Sequence, residues 1–394
     1  MTPKPSSPRP CDVVVVGAGA AGMMAAIVAA ERGRRVVLLE KNPQPGLKIL
    51  ISGGGRCNLT TTRLGQDLED QFGARRGRFL RHALRAFPPT ALRAFIESAG
   101  VALQEEDLEK LFPVSQRARD VVDALLARCR AVGVELRVGA PVRDIAREGP
   151  GFVVTTPQGN VVAAALVLAT GGLSYPKTGA TGDGYGFCRA FGHTITPTFP
   201  ALAPLAVDAA WVRDLQGIVV HDVALASLDR HGKVVGSRQR PILFTHRGLS
   251  GPAPMDLAGD IEEAAGLGAV RFDFAPATSA DELERTWLAA VPKSGPRSVE
   301  SVLPPHLPAR LRAALCGLGD SVTTLANWGK ERRRKLLAAV KDLRVPVGRS
   351  LGYAHAEVTR GGVALDEIDA RTMQSKRVPG LFVVGELLDV DGPI

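Results

Sequence analysis

Four residues near the N terminus have the types and spacing of a dinucleotide site. Gly17, Gly19 and Gly22 fit G-x-G-x-x-G, and Glu40 follows 18 residues after the third glycine. The first glycine permits a tight turn, the second lets a pyrophosphate approach the backbone, and the third lets a helix pack closely on a strand. A carboxylate at that distance can accept hydrogen bonds from ribose hydroxyls. The flanking residues supply the elements that must position these four. "DVVVV" (12–16) is a β-branched run suited to a parallel strand covered on both faces, and "AAGMMAAIVAAERG" continues as a helix that stops at Gly33, a suitable C-cap. "RRVVLLE" is a second strand ending in Glu40. The helix N terminus then offers partial positive charge to phosphates. With strand, glycine turn, helix, second strand and acid all in place, a glycine turn that binds nothing is the weaker reading.

A second stretch, "GLKILISGGGRCNLTTTR" (46–63), raises a different question. Three consecutive glycines make a poor strand and a poor helix because glycine loses the most backbone entropy on folding. Either the run is a surface turn, or it lets backbone pass close to a ligand. Its distant neighbours favour the ligand. "NVVAAALVLATGG" (160–172) is another buried strand, ending in Ala169, Thr170 and Gly171, and resembles the second signature of glutathione-reductase-type FAD domains. "FVVGE" (382–386) resembles their third, and with it FAD is expected rather than NAD as the resident cofactor. Pieces of one nucleotide site thus spread from residue 12 to residue 391, so the domain must be discontinuous.

Bulk properties bound the rest. A chain of 394 residues, 45% apolar and 23% charged, suits two or three globular domains. The net charge of +9 allows an anionic partner without identifying one. The arginines look scattered through 75–85, 117–147 and 331–349 in the manner of solvated helix faces, so nucleic acid is disfavoured. Five cysteines without CxxC or paired zinc spacing indicate neither a disulfide framework nor a metal site, and suit a reducing compartment. The proline-rich residues 1–10 read as a disordered tail. The glycine-interrupted run after it is neither a targeting nor a membrane segment, so a cytoplasmic protein, monomeric or homodimeric, is expected.

Between the Ala-Thr-Gly-Gly strand and residue 350 the character changes. Residues 195–275 alternate apolar and polar positions in short runs, with "DRHGK" a hairpin turn, and read as an antiparallel barrel or sandwich. Residues 280–341 read as helices. In "SYPKTGATGDGYGF" (174–187), Tyr175 and Thr178 can line a cofactor and Asp183 can cap a helix beginning near Gly184. In "FTHRGLSGP" (244–252), His246 and Arg247 precede a turn. His246 can supply a proton or bind an anionic intermediate. A satisfied structural histidine is the competing reading.

Taken together, "PGLKILISGGGRCNLT", "ATGGLSYPKTGATGDGYGF", "FTHRGLSGPAPM" and "AEVTRGGVALDEIDARTMQSKRVPGLFVVGELLDVDG" resemble the HI0933-like flavoproteins, also called the BaiN/RdsA family, over nearly the whole chain after residue 10. The resemblance implies an α/β, two-dinucleotide-binding-domain FAD fold, 11–192 with 351–394. A β-barrel domain (193–278 with 342–350) and a small helical domain (279–341) are inserted in it. It implies an FAD-dependent oxidoreductase passing a hydride between flavin and a small or medium apolar substrate, such as an enone-type double bond, with NAD(P)H a candidate reductant. An RNA-modifying flavoprotein and an inactive remnant are the alternatives. Implied cofactor contacts are Gly17, Gly19, Ala20, Ala21, Gly22, Glu40, Lys41, Lys48, Gly54, Gly55, Arg56, Cys57, Asn58, Val142, Ala169, Thr170, Gly171, Gly385, Glu386, Asp391 and Gly392, with Tyr175 and His246 as catalytic candidates. Within these, Arg56 can fork onto a phosphate or substrate anion, Asn58 can reach the isoalloxazine edge, and Lys48 is either a second cation or a solvated lysine. Cys57 reads as a buried small side chain rather than a redox centre, since no partner cysteine is near. Relatives continue after "DVDGP" with a helix aimed at the flavin, so weak FAD binding is expected of a chain ending at Ile394.

Overall fold

A computed structural model of the chain describes residues 10–264, 268–291 and 297–394. It forms two compact units, Met1–Thr198 with Glu357–Gly392, and Phe199–Ala356 with Pro393–Ile394. The tail expected over 1–10 lies, apart from Pro10, outside the described residues.

In the first unit a sheet is built from β1 (Cys11–Val16), β2 (Val36–Leu39), β3 (Glu135–Arg137), β4 (Asp144–Glu148), β5 (Gly151–Thr156), β6 (Gly159–Leu168) and β7 (Leu381–Val383). The strand order is β3-β2-β1-β6-β5-β4, and β7 pairs with the second half of β6. β1 runs parallel to both neighbours, with Val14 opposite Val37 on one side and Leu166 on the other. β4, β5 and β6 form an antiparallel meander. Side chains alternate across a strand, so the valine run of β1 serves both faces. Val14 and Val16 join one apolar cluster with Val37, Leu39, Phe152 and Leu381, and Val15 joins the opposite one with Met23, Ile27, Val36 and Leu125. Each fully buried valine or leucine contributes about 1.5–3 kcal/mol relative to exposure, which fixes the register of β1 and hence where the glycine turn begins.

Five helices of this unit bear on the site: α1 (Ala20–Glu31), α2 (Leu47–Gly55), α3 (Gly73–Ala86), α4 (Ala118–Ala131) and α5 (Asp183–Ala190). The C-cap of α1 is Arg32, and Gly33 follows at φ 77°, the left-handed residue that ends the helix. Asp183 is not the cap of α5. Gly182 is, in left-handed conformation without a side-chain cap, and Asp183 opens the helix with its carboxylate on Lys41 Nζ at 2.7 Å.

The second unit contains two antiparallel sheets. One joins Val219–Val220, Ile242–Thr245, Gly248–Ser250, Leu205–Ala206 and Arg349–Ser350, and the other Val234–Gln239, Ala224–Leu228, Ala269–Asp273 and Leu343–Pro346. The "DRHGK" turn closes a hairpin, with Asp229 Oδ1 accepting from the His231 and Lys233 amides at 2.8 and 2.9 Å. Helices Ala280–Ala290, Ala309–Leu318 and Lys330–Lys341 share one apolar core with these strands. Phe244, Phe272 and Phe274 from the sheets belong to the same cluster as Trp287 and Trp328. The strand and helix segments, read from sequence as two domains, are thus a single compact unit.

Candidate functional site

The G-x-G-x-x-G residues are required for different reasons. Gly17 has φ 103°, and a Cβ there would lie 2.5 Å from the Ala169 carbonyl oxygen. A Cβ on Gly22 would lie 1.8 Å from the Gly17 carbonyl oxygen. Around Gly19 nothing of the protein lies within 4 Å of such an atom. The loop is therefore packed against the end of β6 at both ends and open in the middle. Gly19 caps α1, whose first turn, with Ala20 and Ala21, has neither a side-chain cap nor an acid. Its leading amides and positive dipole end are available to an anion.

Glu40, at the end of β2, is buried. One carboxylate oxygen accepts from the Ala18 amide at 2.9 Å, and the other from the amide and side chain of Asn42, both at 2.9 Å. The acid braces the glycine loop as well as presenting oxygens with lone pairs to spare for ribose hydroxyls. Lys41 is taken up by Thr181 and Asp183. Val142 is half-buried and packs on the sheet core next to the segment that leads into β4.

The second stretch resolves into a short helix and a left-handed run. α2 loses helical geometry at Ser52, and Gly53, Gly54 and Gly55 follow at φ 55°, 70° and 86°. A Cβ on Gly54 would meet nothing within 4 Å. Arg56 departs from expectation: its guanidinium is committed to Glu106 at 2.7 Å and Gln116 at 2.8 Å, and lies 4.2 Å from the Phe112 ring centroid. The Gln116 amide and the Arg56 guanidinium hold Glu106 below the usual carboxylate range. A fork that suits phosphate suits a carboxylate equally well. Cys57 is buried at φ 66°, and burial pushes its thiol up. Asn58 Oδ1 is buried without a hydrogen-bond partner among the described residues.

The second and third motifs meet this loop. The Ala169 amide donates to the Val16 carbonyl at 2.9 Å, and the Thr170 hydroxyl is buried with no partner among the described residues. Gly171 follows at φ 73°. Lys48 is not a solvated lysine: its ammonium pairs with Glu386 and bonds Ser174 Oγ at 2.5 Å. Glu386 also accepts from the Ser174 hydroxyl at 2.5 Å and the Thr359 amide at 2.8 Å. Gly385 has φ 73°, and its Cβ would lie 2.8 Å from the Ala21 side chain, so the third motif closes over the start of α1. Further on, Asp391 is held by Arg76 and Arg360, both at 3.0 Å, Asp389 by Arg75 and Arg76, and Gly392 packs on Phe72.

Tyr175 is half-buried in the left-handed region, φ 50°, a conformation that costs a non-glycine residue about 1–3 kcal/mol. Burial, then the Glu357 charge, pushes its phenol up. Burial likewise raises the Glu357 carboxyl, against the pull of Lys110 and Lys48. His246 is in the second unit, exposed, and with Arg247 forms the turn between Ile242–Thr245 and Gly248–Ser250 rather than preceding it. Arg247 contacts His355 at 3.2 Å.

One buried network was invisible in sequence. His193 links Glu367 through Nδ1 at 2.9 Å and Ser375 through Nε2 at 2.8 Å, while Thr194 and Arg377 add bonds to Glu367. The Arg377 guanidinium first, then Thr194 and His193, hold the Glu367 carboxyl down at about 2. Its bonded partners are single polar residues up to 182 positions apart, as for His193 and Ser375, and no spacing rule joins them.

FAD fits this arrangement on grounds internal to it: two glycines with open space where a side chain would stand, an uncapped helix end, and the orphaned buried oxygens of Asn58 and Thr170. The set lies at the carboxyl ends of β1, β2 and β6, where open α/β sheets bind ligands. A cavity of about 280 Å³ lined by Arg35, Glu135, Arg137 and Asn160 sits at the starts of β1 and β2, at the opposite end, and lacks these features. No helix among the described residues is long and apolar enough to cross a membrane.

The HI0933-like protein Rossmann domain family matches residues 11–394. A ribosomal RNA dihydrouridine synthase of Escherichia coli (strain K12) is 33% identical over 97% of this chain and 92% of its own. A 3-dehydro-bile acid delta(4,6)-reductase of Clostridium scindens is 28% identical over 96% of this chain and 93% of its own. Among solved structures, a 3-ketosteroid-delta4-(5alpha)-dehydrogenase from Rhodococcus jostii RHA1 matches 96% of this chain and 91% of that one at 15% identity and TM-score 0.47. The chain belongs to the HI0933-like family of FAD-dependent oxidoreductases.

Proposed function

We propose that this enzyme adds two hydrogens across a carbon–carbon double bond conjugated to a carbonyl, and that its substrate is a uracil ring in RNA. The observation that carries the reading is the full-length similarity to two relatives whose names, though their substrates differ in size, both describe such a reduction. In uracil the bond is C5=C6, conjugated to the C4 carbonyl. RNA is favoured over a small apolar substrate by the higher identity to the ribosomal RNA dihydrouridine synthase and by the net charge of +9. The enone of a steroid-like substrate is the second reading, supported by the bile-acid relative.

Reduced FAD supplies the hydride in such a reaction. The amides at the start of α1 and the open face of Gly19 take the diphosphate, Glu40 takes the ribose, and the Gly54–Gly55 backbone with Asn58 and Thr170 orients the rest. The single proton that completes the addition, at the carbon the hydride does not take, comes from a side chain. Tyr175 fits that role: its hydroxyl has no hydrogen bond among the described residues, and its raised phenol stays protonated at neutral pH. His246 is the other candidate. NAD(P)H is the proposed reductant, with no second G-x-G-x-x-G to receive it.

Anaerobic incubation of the FAD-loaded enzyme and NADPH with a ribosomal RNA transcript, in parallel with a 3-keto-Δ4 steroid, tests this by mass spectrometry. A gain of two hydrogens on a uridine is expected. Reduction of the steroid alone would move the assignment to the second reading, and bleaching of flavin absorbance by neither NADH nor NADPH would remove the proposed reductant.

A further inference from the structure

We infer that the exposed face of α3 is the docking surface for the phosphodiester backbone of the substrate RNA, an inference that rests on the RNA reading above. The helix "GARRGRFLRHALRA" carries five arginines, one histidine and no acid. Its buried side is small and apolar: Phe79 enters the core, and a Cβ on Gly77 would lie 2.2 Å from the Glu69 carbonyl oxygen. That close approach fixes which face looks outward. Arg75, Arg78, His82 and Arg85 are exposed, and their separations of three, four and three residues align them in one stripe. The stripe is about 15 Å long, a length over which one strand of a duplex carries about four phosphates.

A solvated basic helix normally mixes in carboxylates at i+3 or i+4, because like charges at those spacings destabilise it. α3 instead has carboxylates only beneath it. Glu69, which is buried, holds Arg81 at 2.7 Å and Arg85 at 3.5 Å; Asp389, also buried, holds Arg75 at 3.3 Å and Arg76 at 3.1 Å. Arg78 has no carboxylate partner among the described residues. The side chains of Arg75 and Arg85 remain 63% and 67% exposed, so the buried acids orient the arginines from below and leave the outer face to an external polyanion. The position also suits substrate delivery. Arg75 and Arg76 grip Asp389 and Asp391, in the segment expected at the flavin edge, and Phe72 just before α3 supports Gly392. A strand tracked along the stripe starts beside the place where its base must be presented.

Fluorescence anisotropy of a labelled oligouridylate, titrated with the FAD-loaded enzyme at several salt concentrations, tests the face. Arg78→Ala with Arg85→Ala should weaken binding about tenfold and lower the slope of log K against log salt by about 0.7 for each phosphate that is no longer neutralised. Flavin content and melting temperature of the variant check that it folds. Arg334→Ala with Arg332→Ala, an equal charge change on helix Lys330–Lys341 of the second unit, should leave both quantities near wild type. Equal weakening by the two pairs, or none from the α3 pair while wild type binds RNA salt-dependently, would overturn the docking face alone. Failure of the wild type to bind RNA, or its binding anionic lipid vesicles instead, would overturn both the face and the RNA reading.

Discussion

The two glycine loops of the first unit differ in what makes glycine necessary. At Gly22, and in part at Gly17, the requirement is steric: a Cβ would stand 1.8 or 2.5 Å from a carbonyl oxygen of the loop or of the adjoining strand end. In the second loop a Cβ on Gly53 would also crowd the Asn58 amide nitrogen, at 2.7 Å, but at Gly54 the requirement is conformational alone, with φ 70° and nothing within 4 Å. Gly19 satisfies neither condition, having no close neighbour and an extended backbone at φ −81°. Gly19 sits between the two sterically required glycines of the first loop and at the uncapped start of α1, so its open side leaves room for a ligand. In the proposed site the sterically required glycines build the cradle, and Gly19 and Gly54, where no protein atom would meet a Cβ, face the cofactor.

The steric side of that contrast has the largest expected effect. Gly22→Ala places a methyl against backbone, which cannot swing aside as a side chain can, so loss of soluble, cooperatively melting protein is expected; overpacking of this kind costs at least about 1–3 kcal/mol. A variant that melts like wild type would show that the loop yields and that its close packing is not required.

Glu40→Ala comes next, and here the structure changes the expectation. Read from sequence, Glu40 is a ligand contact; in the fold it also accepts three hydrogen bonds from Ala18 and Asn42. Its loss should therefore lower both flavin retention and melting temperature, with a stability cost of about 1–3 kcal/mol for donors left unpaired. Glu40→Gln, which keeps an acceptor for Ala18, should recover much of the stability and less of the affinity. Unchanged flavin occupancy in both variants would remove Glu40 from the site.

What was legible followed the range of the interaction. The strand-turn-helix-strand unit with Glu40 is local, so spacing was enough. Arg56 was misread because its guanidinium suits any anion, and Glu106, 50 residues away, competes for it. Lys48 was ambiguous for the same reason: Glu386 and Ser174, which fix it, lie 338 and 126 residues away. The α3 stripe was within reach, since the separations of Arg75, Arg78, His82 and Arg85 can be counted, but charges tallied along the chain look scattered until they are placed on a helix.

The His193–Glu367–Ser375 network offers a smaller effect, away from both loops. Because the folded-state Glu367 carboxyl is held at about 2, below its ordinary 4.5, its contribution to stability is full above about pH 4.5 and is lost as pH falls toward 2. Glu367→Gln should lower the melting temperature at neutral pH and flatten its fall across that acid range. An acid limb identical to wild type would mean that other carboxylates set it.

The smallest effect is expected at Gly54. Gly54→Ala meets no neighbour and carries only the strain of a left-handed alanine, about 1–2 kcal/mol. A methyl there faces the cradle, so flavin affinity should fall by more than stability does. Equal changes in the two would place the ligand elsewhere.

Titrating FAD into flavin-free wild type and Gly19→Val, with melting curves of both apoproteins, tests the central claim most directly. Saturable FAD binding by wild type, no measurable binding by the variant, and nearly equal apoprotein melting temperatures are predicted, because the added Cβ meets no protein atom within 4 Å and the valine occupies the pyrophosphate path. A variant that binds FAD as tightly as wild type would contradict the claim that the open side of the first glycine loop holds the cofactor.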